Sequence, residues 1–482
     1  MSVQSTRRRQ SATRVIWGDW QTPLPLAMEV VSTLRDQGLR PALVVEPTCG
    51  VGSFLAAARS AWPGAKLAGF EINPAYVEGA RVALGDSARI ERSDFFSEAW
   101  EKHLRASDGS VLILGNPPWV TSSELGSLGA ANPPTKANWK GFRGLDALTG
   151  RSNFDVSEWM LLRLLAAVEG TEFTLAMLCK AAVARRLLEH CARHHLPVAG
   201  ELRRFDAMEH FAAAVDAVLL VLRPGPANQG HVEWPVFASV LATEPATCIG
   251  VADGVLCSDV AAYHRSRGFG GSSVPEWRSG LKHDCSRVME FSRGSAGLTN
   301  GAGEVVDIED TYVYPLLKGS DLANGRLAPT RAVLVPQGRL GQETNSIRGS
   351  APKTWSYLAA HREALDARKS SIYAGQPAFA VFGVGEYTFA PWKVGICGLY
   401  KRLEFAVVGP SGGRAVVLDD TCYFLPFATE GEARTVAAAL ASAPAREFLN
   451  ARIFWDAKRP VTKSVLQTLD LAELNLALKR IF

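Results

Sequence analysis

Short, nearly unbroken apolar runs recur through the first half of the chain, and each ends on glycine, an acid or an asparagine. Ala42-Leu43-Val44-Val45 leads into Glu46-Pro47-Thr48-Cys49-Gly50-Val51-Gly52, and Lys66-Leu67-Ala68-Gly69-Phe70 leads into Glu71. Residues 88–92 form a shorter run that closes on Asp94-Phe95-Phe96, and Leu112-Ile113-Leu114-Gly115 closes on Asn116-Pro117-Pro118-Trp119. Apolar runs of this length bounded by turn residues predict buried strands. Helical patterns separate them: 24–34, a stretch through 56–59 after the glycines, and 74–83. Phe173-Thr174-Leu175-Ala176-Met177-Leu178 predicts a fifth strand, and a helix over 181–194 follows it. A further buried strand is predicted over 216–222, and a strongly apolar helix over 158–168 behind Ser152-Asn153-Phe154-Asp155. Strand and helix in alternation predict an α/β fold, a parallel sheet with helices on both faces. Prolines and glycines from 224 to 230 mark a boundary, after which the alternation is lost. The expected domains are therefore a basic, flexible arm over 1–16, an α/β domain over 17–228 and a mixed α+β domain over 229–482.

Ligands of an open parallel sheet bind outside the carboxyl ends of its strands, and that is where the polar residues fall. Gly50 and Gly52 permit a sharp turn and a close backbone approach, and the helix after them offers free N–H groups. Glu71 lies about 20 residues on, the spacing at which an acid grips a ribose diol. Asp94 reads either as a cap on the next helix or as an acceptor for an adenine amino group, with Phe95 packed on the ring. Asn116-Pro117-Pro118-Trp119 alone reads either as a proline-stiffened turn or as a site for an exocyclic amine. In the second reading the Asn116 amide oxygen and the Pro117 carbonyl are paired acceptors. The prolines bring no competing N–H, and the Trp119 ring offers a stacking surface. Four successive strand ends carrying such chemistry, in this order, select the second reading.

Together these residues resemble the γ-class amino-methyltransferases of DNA, which use S-adenosylmethionine. The glycine loop is similar to that family's cofactor motif, and Asn-Pro-Pro-Trp to its catalytic motif. One departure is mild: Glu46-Pro-Thr-Cys-Gly-Val-Gly stands where Asp-Pro-Ala-Cys-Gly-Ser-Gly is commoner, keeping the acid and the glycines. Residues 17–23 resemble the segment that closes over the methionine end, with Thr22 also a candidate N-cap and Pro23 the first helical residue. The resemblance implies a Rossmann-like methyltransferase sheet followed by a target-recognition domain. It implies S-adenosylmethionine as cofactor, held by Thr22, Pro23, Glu46, Gly50, Gly52, Glu71, Ile72, Asp94, Phe95 and Asn116. It implies catalysis by Asn116, Pro117 and Trp119, with Phe211 either a core residue or the aromatic on the far side of a flipped base. The implied reaction is direct methyl transfer to the N6 amine of adenine in double-stranded DNA, as part of restriction–modification or another defence system. N4-cytosine methylation, methylation of RNA or of a protein glutamine, and a non-catalytic DNA-binding specificity subunit stay open as alternatives. Carbon-5 methylation of cytosine is set aside, because no Pro-Cys pair occurs.

Composition narrows the surroundings. A chain of 482 residues is long for one core and suits two domains. With 47% hydrophobic and 21% charged residues it has the balance of a soluble protein. No apolar run of membrane-spanning length occurs, and the polar start with Arg7, Arg8 and Arg9 lacks a secretory core, so a cytoplasmic location is expected. Eight scattered cysteines without a C-x-x-C pair argue for reduced thiols and against a metal site. The net charge of +4 permits a nucleic-acid partner without demanding one. The polar stretch 121–153, with Lys136, Lys140 and Arg143, reads as a lid over nucleic acid or as a plain insertion. Beyond it, Arg278, Lys282, Arg368, Lys369, Lys393, Lys458 and Arg459 stand among aromatics, the mixture that phosphate contact and base stacking require. No nuclease-like cluster of carboxylates and lysine is evident, so any cognate restriction endonuclease is expected as a separate partner.

Overall fold

All six strands foreseen in the sequence occur in the computed structural model, which describes residues 20–105, 109–120, 155–226, 232–294 and 297–481. The chain divides into two units, Met1–Val260 and Ala261–Phe482. In the first, β1 (Leu43–Glu46), β2 (Lys66–Glu71), β3 (Arg89–Arg92), β4 (Val111–Gly115) and β5 (Phe173–Lys180) run parallel. They continue into β6 (Val198–Phe205), β7 (Ala217–Pro224), β8 (Val232–Phe237), β9 (Pro245–Ala252) and β10 (Val255–Cys257). The sheet has ten strands in the order β3-β2-β1-β4-β5-β7-β6-β8-β9-β10, with β7 antiparallel between β5 and β6.

The helices of this unit are α1 (Leu24–Asp36), α2 (Ser53–Ala61), α3 (Pro74–Leu84), α4 (Trp100–Leu104), α5 (Val156–Ala167), α6 (Ala181–Arg193) and α7 (Ala207–Phe211). Val44, Leu112, Leu114, Ala176 and Leu178 share one core with apolar residues of α1, α2 and α3. Their neighbours Val45, Ile113, Leu175 and Met177 point to the other face and are also buried. Both faces are therefore covered, which is why these strands read as continuous apolar runs rather than alternating ones.

Three details differ from expectation. The sequence does not announce β6, because Glu201, Arg203 and Arg204 interrupt its apolar pattern. Glu201 and Arg203 are buried and satisfy each other: Arg203 Nε lies 2.8 Å from Glu201 Oε1, and its Nη1 donates to the Val240 and Ala242 carbonyls. The second concerns α1, which begins at Leu24 with Pro23 in the cap position and no side-chain cap, so Thr22 is not its N-cap. Pro23 is itself extended, with ψ at 137°, so the helix starts one residue later than the sequence placed it. The boundary read at 228/229 falls inside this unit, since β6 pairs with β8.

The second unit is mixed α+β. A six-stranded sheet joins β12 (Glu290–Gly294), β13 (Gly297–Asn300), β14 (Val305–Val306), β15 (Val313–Leu317), β16 (Arg331–Leu334) and β19 (Val417–Leu418). A four-stranded sheet takes β11 (Arg278–Ser279), β20 (Cys422–Phe427), β17 (Trp392–Cys397) and β18 (Ala406–Val408), in that order. Its core brings Val394, Ile396 and Leu425 against Ala433 and Leu440 of α8 (Glu430–Ala441), Phe448 of α9 (Ala443–Asn450) and Leu474 of α10 (Leu471–Ile481). Among the described residues no helix is long and apolar enough to cross a membrane.

Candidate active site

Strand order reverses between β1 and β4: from β1 the chain proceeds outward to β2 and β3, from β4 outward to β5. The loops after β1 and β4 therefore diverge and open a crevice at the strand ends. Gly50 and Gly52 take positive φ, 51° and 85°, in the loop after β1. A Cβ on Gly50 would lie 2.3 Å from Gln21 Oε1, and one on Gly52 would lie 2.9 Å from Leu84 Cδ1. Gln21 Oε1 accepts the Val51 N–H at 3.1 Å. Only glycine fits where the turn is left-handed and a side chain presses against it.

Glu71 ties this loop to the next strand. Its Oε2 accepts the Gly50 N–H at 2.9 Å and its Oε1 accepts the Asn73 N–H at 2.8 Å. A carboxylate oxygen can accept more than one hydrogen bond. Ile72, beside it, is 37% exposed, an apolar surface next to a carboxylate. At the end of β3, Asp94 Oδ1 accepts the Phe96 N–H at 3.0 Å and caps the short turn Phe95–Ser97. The cap reading is thus realised, with one oxygen engaged in this way. Phe95 is buried and its ring lies 4.8 Å from Trp100, so it serves the core.

Glu46 and Asn116 end the two central strands, β1 and β4. Glu46 is 3% exposed; burial, with Glu71 nearby, holds its carboxyl well above the usual carboxylate range. Its Oε2 and the Thr48 Oγ1 are buried without a hydrogen-bond partner. Asn116 Nδ2 donates to the Trp20 carbonyl at 3.0 Å, and its Oδ1 is buried without a partner. Unsatisfied buried acceptors are costly and rare in native proteins, and grouping at one crevice marks a place where a ligand completes them. An ammonium or amine donor fits Glu46, Thr48 and Asn116, while the glycine cradle and Glu71 suit a ribose.

Trp119 is 5% exposed, its Nε1 donates to the Leu178 carbonyl at 3.4 Å, and its ring meets Phe211 edge to face at 5.3 Å. Phe211 also faces Trp20 at 6.4 Å. The two rings are brought together, as the sequence reading implied, but they touch and leave no slot for a base between them. That correction follows from α7, whose last residue carries Phe211 into the core shared with Trp119.

Three groups were not singled out in the sequence. Trp20 and Gln21 adjoin Thr22 and Pro23 and supply the bonds described above. Lys180, the last residue of β5, donates to the Trp119 carbonyl at 2.8 Å and to Asp155 Oδ2 at 2.7 Å. The strand-end rule that found Glu71 and Asn116 would have found Lys180 too.

The cations proposed for DNA contact separate into classes. Lys136, Lys140 and Arg143 lie outside the described residues. Lys393 has no exposed surface, donates to the Ala390 carbonyl at 2.6 Å and cannot meet a phosphate. Arg368 is also internal in role: it donates to the Leu365, His283 and Ala380 carbonyls and stacks on Tyr373. Arg278 pairs with Glu276 and lies over Tyr387, and Lys282 pairs with Asp284 at 2.7 Å. Lys369 and Lys458 are exposed, and Arg459 reaches the Tyr423 hydroxyl. Among the described residues no group of three His, Cys, Asp or Glu side chains could hold a metal.

No family model matches the sequence. Over 470 residues, 96% of this chain and 98% of the relative, it is 42% identical to the type II methyltransferase M.NspV of Nostoc sp.. Over 106 residues, 22% of this chain and 20% of the relative, it is 31% identical to the type II methyltransferase M.XamI of Xanthomonas campestris pv. amaranthicola. Among solved structures, the type IIL restriction-modification enzyme MmeI, determined in complex with DNA, shares the fold with a TM-score of 0.56 at 15% identity. That match covers 92% of this chain and 65% of MmeI, so the chain spans just under two thirds of that enzyme. A cofactor-type crevice and an orphaned asparagine acceptor thus stand in a chain matched end to end by a known enzyme, and the chain belongs to the type II methyltransferases, the DNA-modifying enzymes of restriction–modification systems.

Proposed function

We propose that the protein transfers a methyl group from S-adenosylmethionine to the N6 amine of adenine in a specific sequence of double-stranded DNA. The observation that carries this reading is the Asn116 amide, whose nitrogen is tied to Trp20 while its buried oxygen lacks a partner. That oxygen and the Pro117 carbonyl accept the two N–H groups of the amine and draw its lone pair out of conjugation with the ring. The bound cofactor supplies an electrophilic methyl on a sulfonium. Positioning of the amine, rather than a covalent intermediate, supplies the rate. Glu71 would hold the ribose hydroxyls, Ile72 would flank the cofactor's adenine beside Asp94, and Glu46 would face its ammonium. Thr22 and Pro23 cover the methionine end.

An amine inside a duplex is out of reach, so the target nucleotide leaves the stack. Trp119 can stack on it only after the rings that cover Trp119, Phe211 among them, part. Lys369, Lys458 and Arg459 suit phosphate contact by exposure or position, and a separate restriction endonuclease would cut the unmodified sequence. Methylation-sensitive sequencing of DNA from a host expressing the protein tests the reading. The expected result is N6-methyladenine at one recurrent sequence. N4-methylcytosine there would move the chemistry to the other amine, and unmodified DNA would overturn the proposal.

A further inference from the structure

The Asn116-Pro117-Pro118-Trp119 turn has an unusual weakness. Its two central residues have no N–H, so this part of the turn cannot be held by its own backbone donors. Among the described residues the Pro117 carbonyl, one of the two proposed acceptors, is held through its flanks. On the near flank stands the Asn116 tether to Trp20. On the far flank both grips come from β5: the Leu178 carbonyl takes the Trp119 indole N–H, and Lys180 Nζ takes the Trp119 carbonyl.

Lys180 does not act alone. Asp155 is 6% exposed, and its Oδ2 accepts from Lys180 at 2.7 Å. Its Oδ1 accepts the Ser157 N–H and hydroxyl at the start of α5. The Val156 N–H donates to the Val120 carbonyl at 2.9 Å, so the residue after Trp119 is pinned to the same place. One ammonium thus joins the catalytic turn, the end of β5 and the cap of α5. A charge-assisted bond to a backbone carbonyl is shorter and stronger than a neutral one. The neighbouring carboxylate compensates the partly buried charge.

We propose that Lys180, with Asp155 as its counter-ion, is a positioning residue that sets the Pro117 carbonyl for the reacting amine. The proposal rests on the function read above. It predicts that loss of Lys180 impairs methyl transfer and spares cofactor binding, because its contacts lie on the turn and not on the glycine loop.

The test uses the full chain, a duplex bearing the recognition sequence in unmethylated form, and labelled methyl donor, with both substrates saturating. Affinity for S-adenosylhomocysteine is measured by calorimetry. Lys180→Met is expected to lower kcat at least about tenfold, since a full 1 Å misplacement can cost a reacting pair about 10²-fold. The calorimetric Kd should stay within about twofold, and Lys180→Arg should recover part of the rate by donating to the same carbonyl. Asp155→Asn, a gentler change should Lys180→Met fail to fold, is expected to give the same split at smaller size. Unchanged kcat in the variants would overturn the proposal. So would a parallel loss of cofactor affinity, or an Lys180→Arg protein as slow as Lys180→Met. A wild-type protein that methylates no DNA would overturn the underlying function, and that outcome is visible before any variant is made.

Discussion

The Asn116 side chain meets the protein with its nitrogen: Nδ2 lies 3.0 Å from the Trp20 carbonyl oxygen. A carbonyl cannot donate, so the opposite amide orientation would set two oxygens face to face. The tether therefore fixes which end of the amide is presented to a ligand, and it presents an acceptor.

Replacing Asn116 separates its two jobs. Asn116→Ala removes both tether and acceptor, and methyl transfer should fall by about 10²–10³-fold, the usual cost of losing a preorganised polar contact in the transition state. Asn116→Asp keeps an oxygen but sets a carboxylate against the Trp20 carbonyl, and it should fare little better. Labelled methyl transfer to duplex DNA measures both, and full activity in Asn116→Ala would end the mechanism.

Glu71 has a structural role and a proposed ligand-binding one, and two variants tell them apart. Glu71→Gln presents one acceptor where the carboxylate presented two, so it cannot serve both the Gly50 and Asn73 N–H groups as an acceptor. Glu71→Ala loses both. Cofactor affinity by calorimetry should drop at least about tenfold in Glu71→Ala, equivalent to about 1.4 kcal/mol, with a smaller drop in Glu71→Gln. Unchanged affinity in both would refute the ribose role.

Gly50→Ala should be worse than an ordinary glycine-to-alanine change. Its new Cβ would meet Gln21 Oε1 at 2.3 Å from a left-handed backbone. Displacing Gln21 also frees the Val51 N–H that it accepts. A loss of about 1–3 kcal/mol in stability is expected from the strained backbone, together with weaker cofactor binding. Denaturant unfolding and calorimetry measure the two effects, and a variant equal to wild type in both would show that the loop has no such constraint.

Lys393 gives a pH signature. Burial pushes its amine down to about 7 from the ordinary 10.5. Between those values the unfolded chain holds a proton that the folded one has released, so this group makes stability rise with pH across the window. Below about 7 both states are protonated and the group contributes no slope. Lys393→Met should remove up to about 1.4 kcal/mol of slope per pH unit. Urea unfolding of wild type and variant at pH 7.5 and 9 checks this; identical slopes would refute it.

The exposed and internal cations should respond differently. Lys458→Ala should weaken DNA binding about equally on all sequences and lower the salt slope by about 1, as expected for one phosphate contact. Arg368→Ala should instead lower stability, because three backbone carbonyls lose their donor. Binding measured across salt concentrations, beside unfolding curves, distinguishes them; a salt slope altered only by Arg368→Ala would reverse the assignment.

The sequence displayed the central sheet and most of the crevice because both depend on local order. An apolar run buried on two faces is legible as a strand, and a polar residue directly after it falls at the strand's end whatever the rest of the chain does. Gly50, Glu71 and Asn116 were read that way. β6 was not, because Glu201 and Arg203 look like surface residues until the fold buries them against each other. Lys393 misled in the opposite direction. It sits in β17, between β20 and β18 with both faces covered, and a lysine there looks the same in sequence as one facing solvent.

What the sequence determined by itself was therefore the set of strand ends and the residue types on them, since both follow from chain order and the strand's period of two. What only the tertiary structure decided was which groups are satisfied. The Trp20 carbonyl meets Asn116 across 96 residues of chain, and Lys180 meets Trp119 across 61. A hydrogen bond between distant residues leaves no trace in either one's neighbours, and neither does the acceptor that such a bond leaves open.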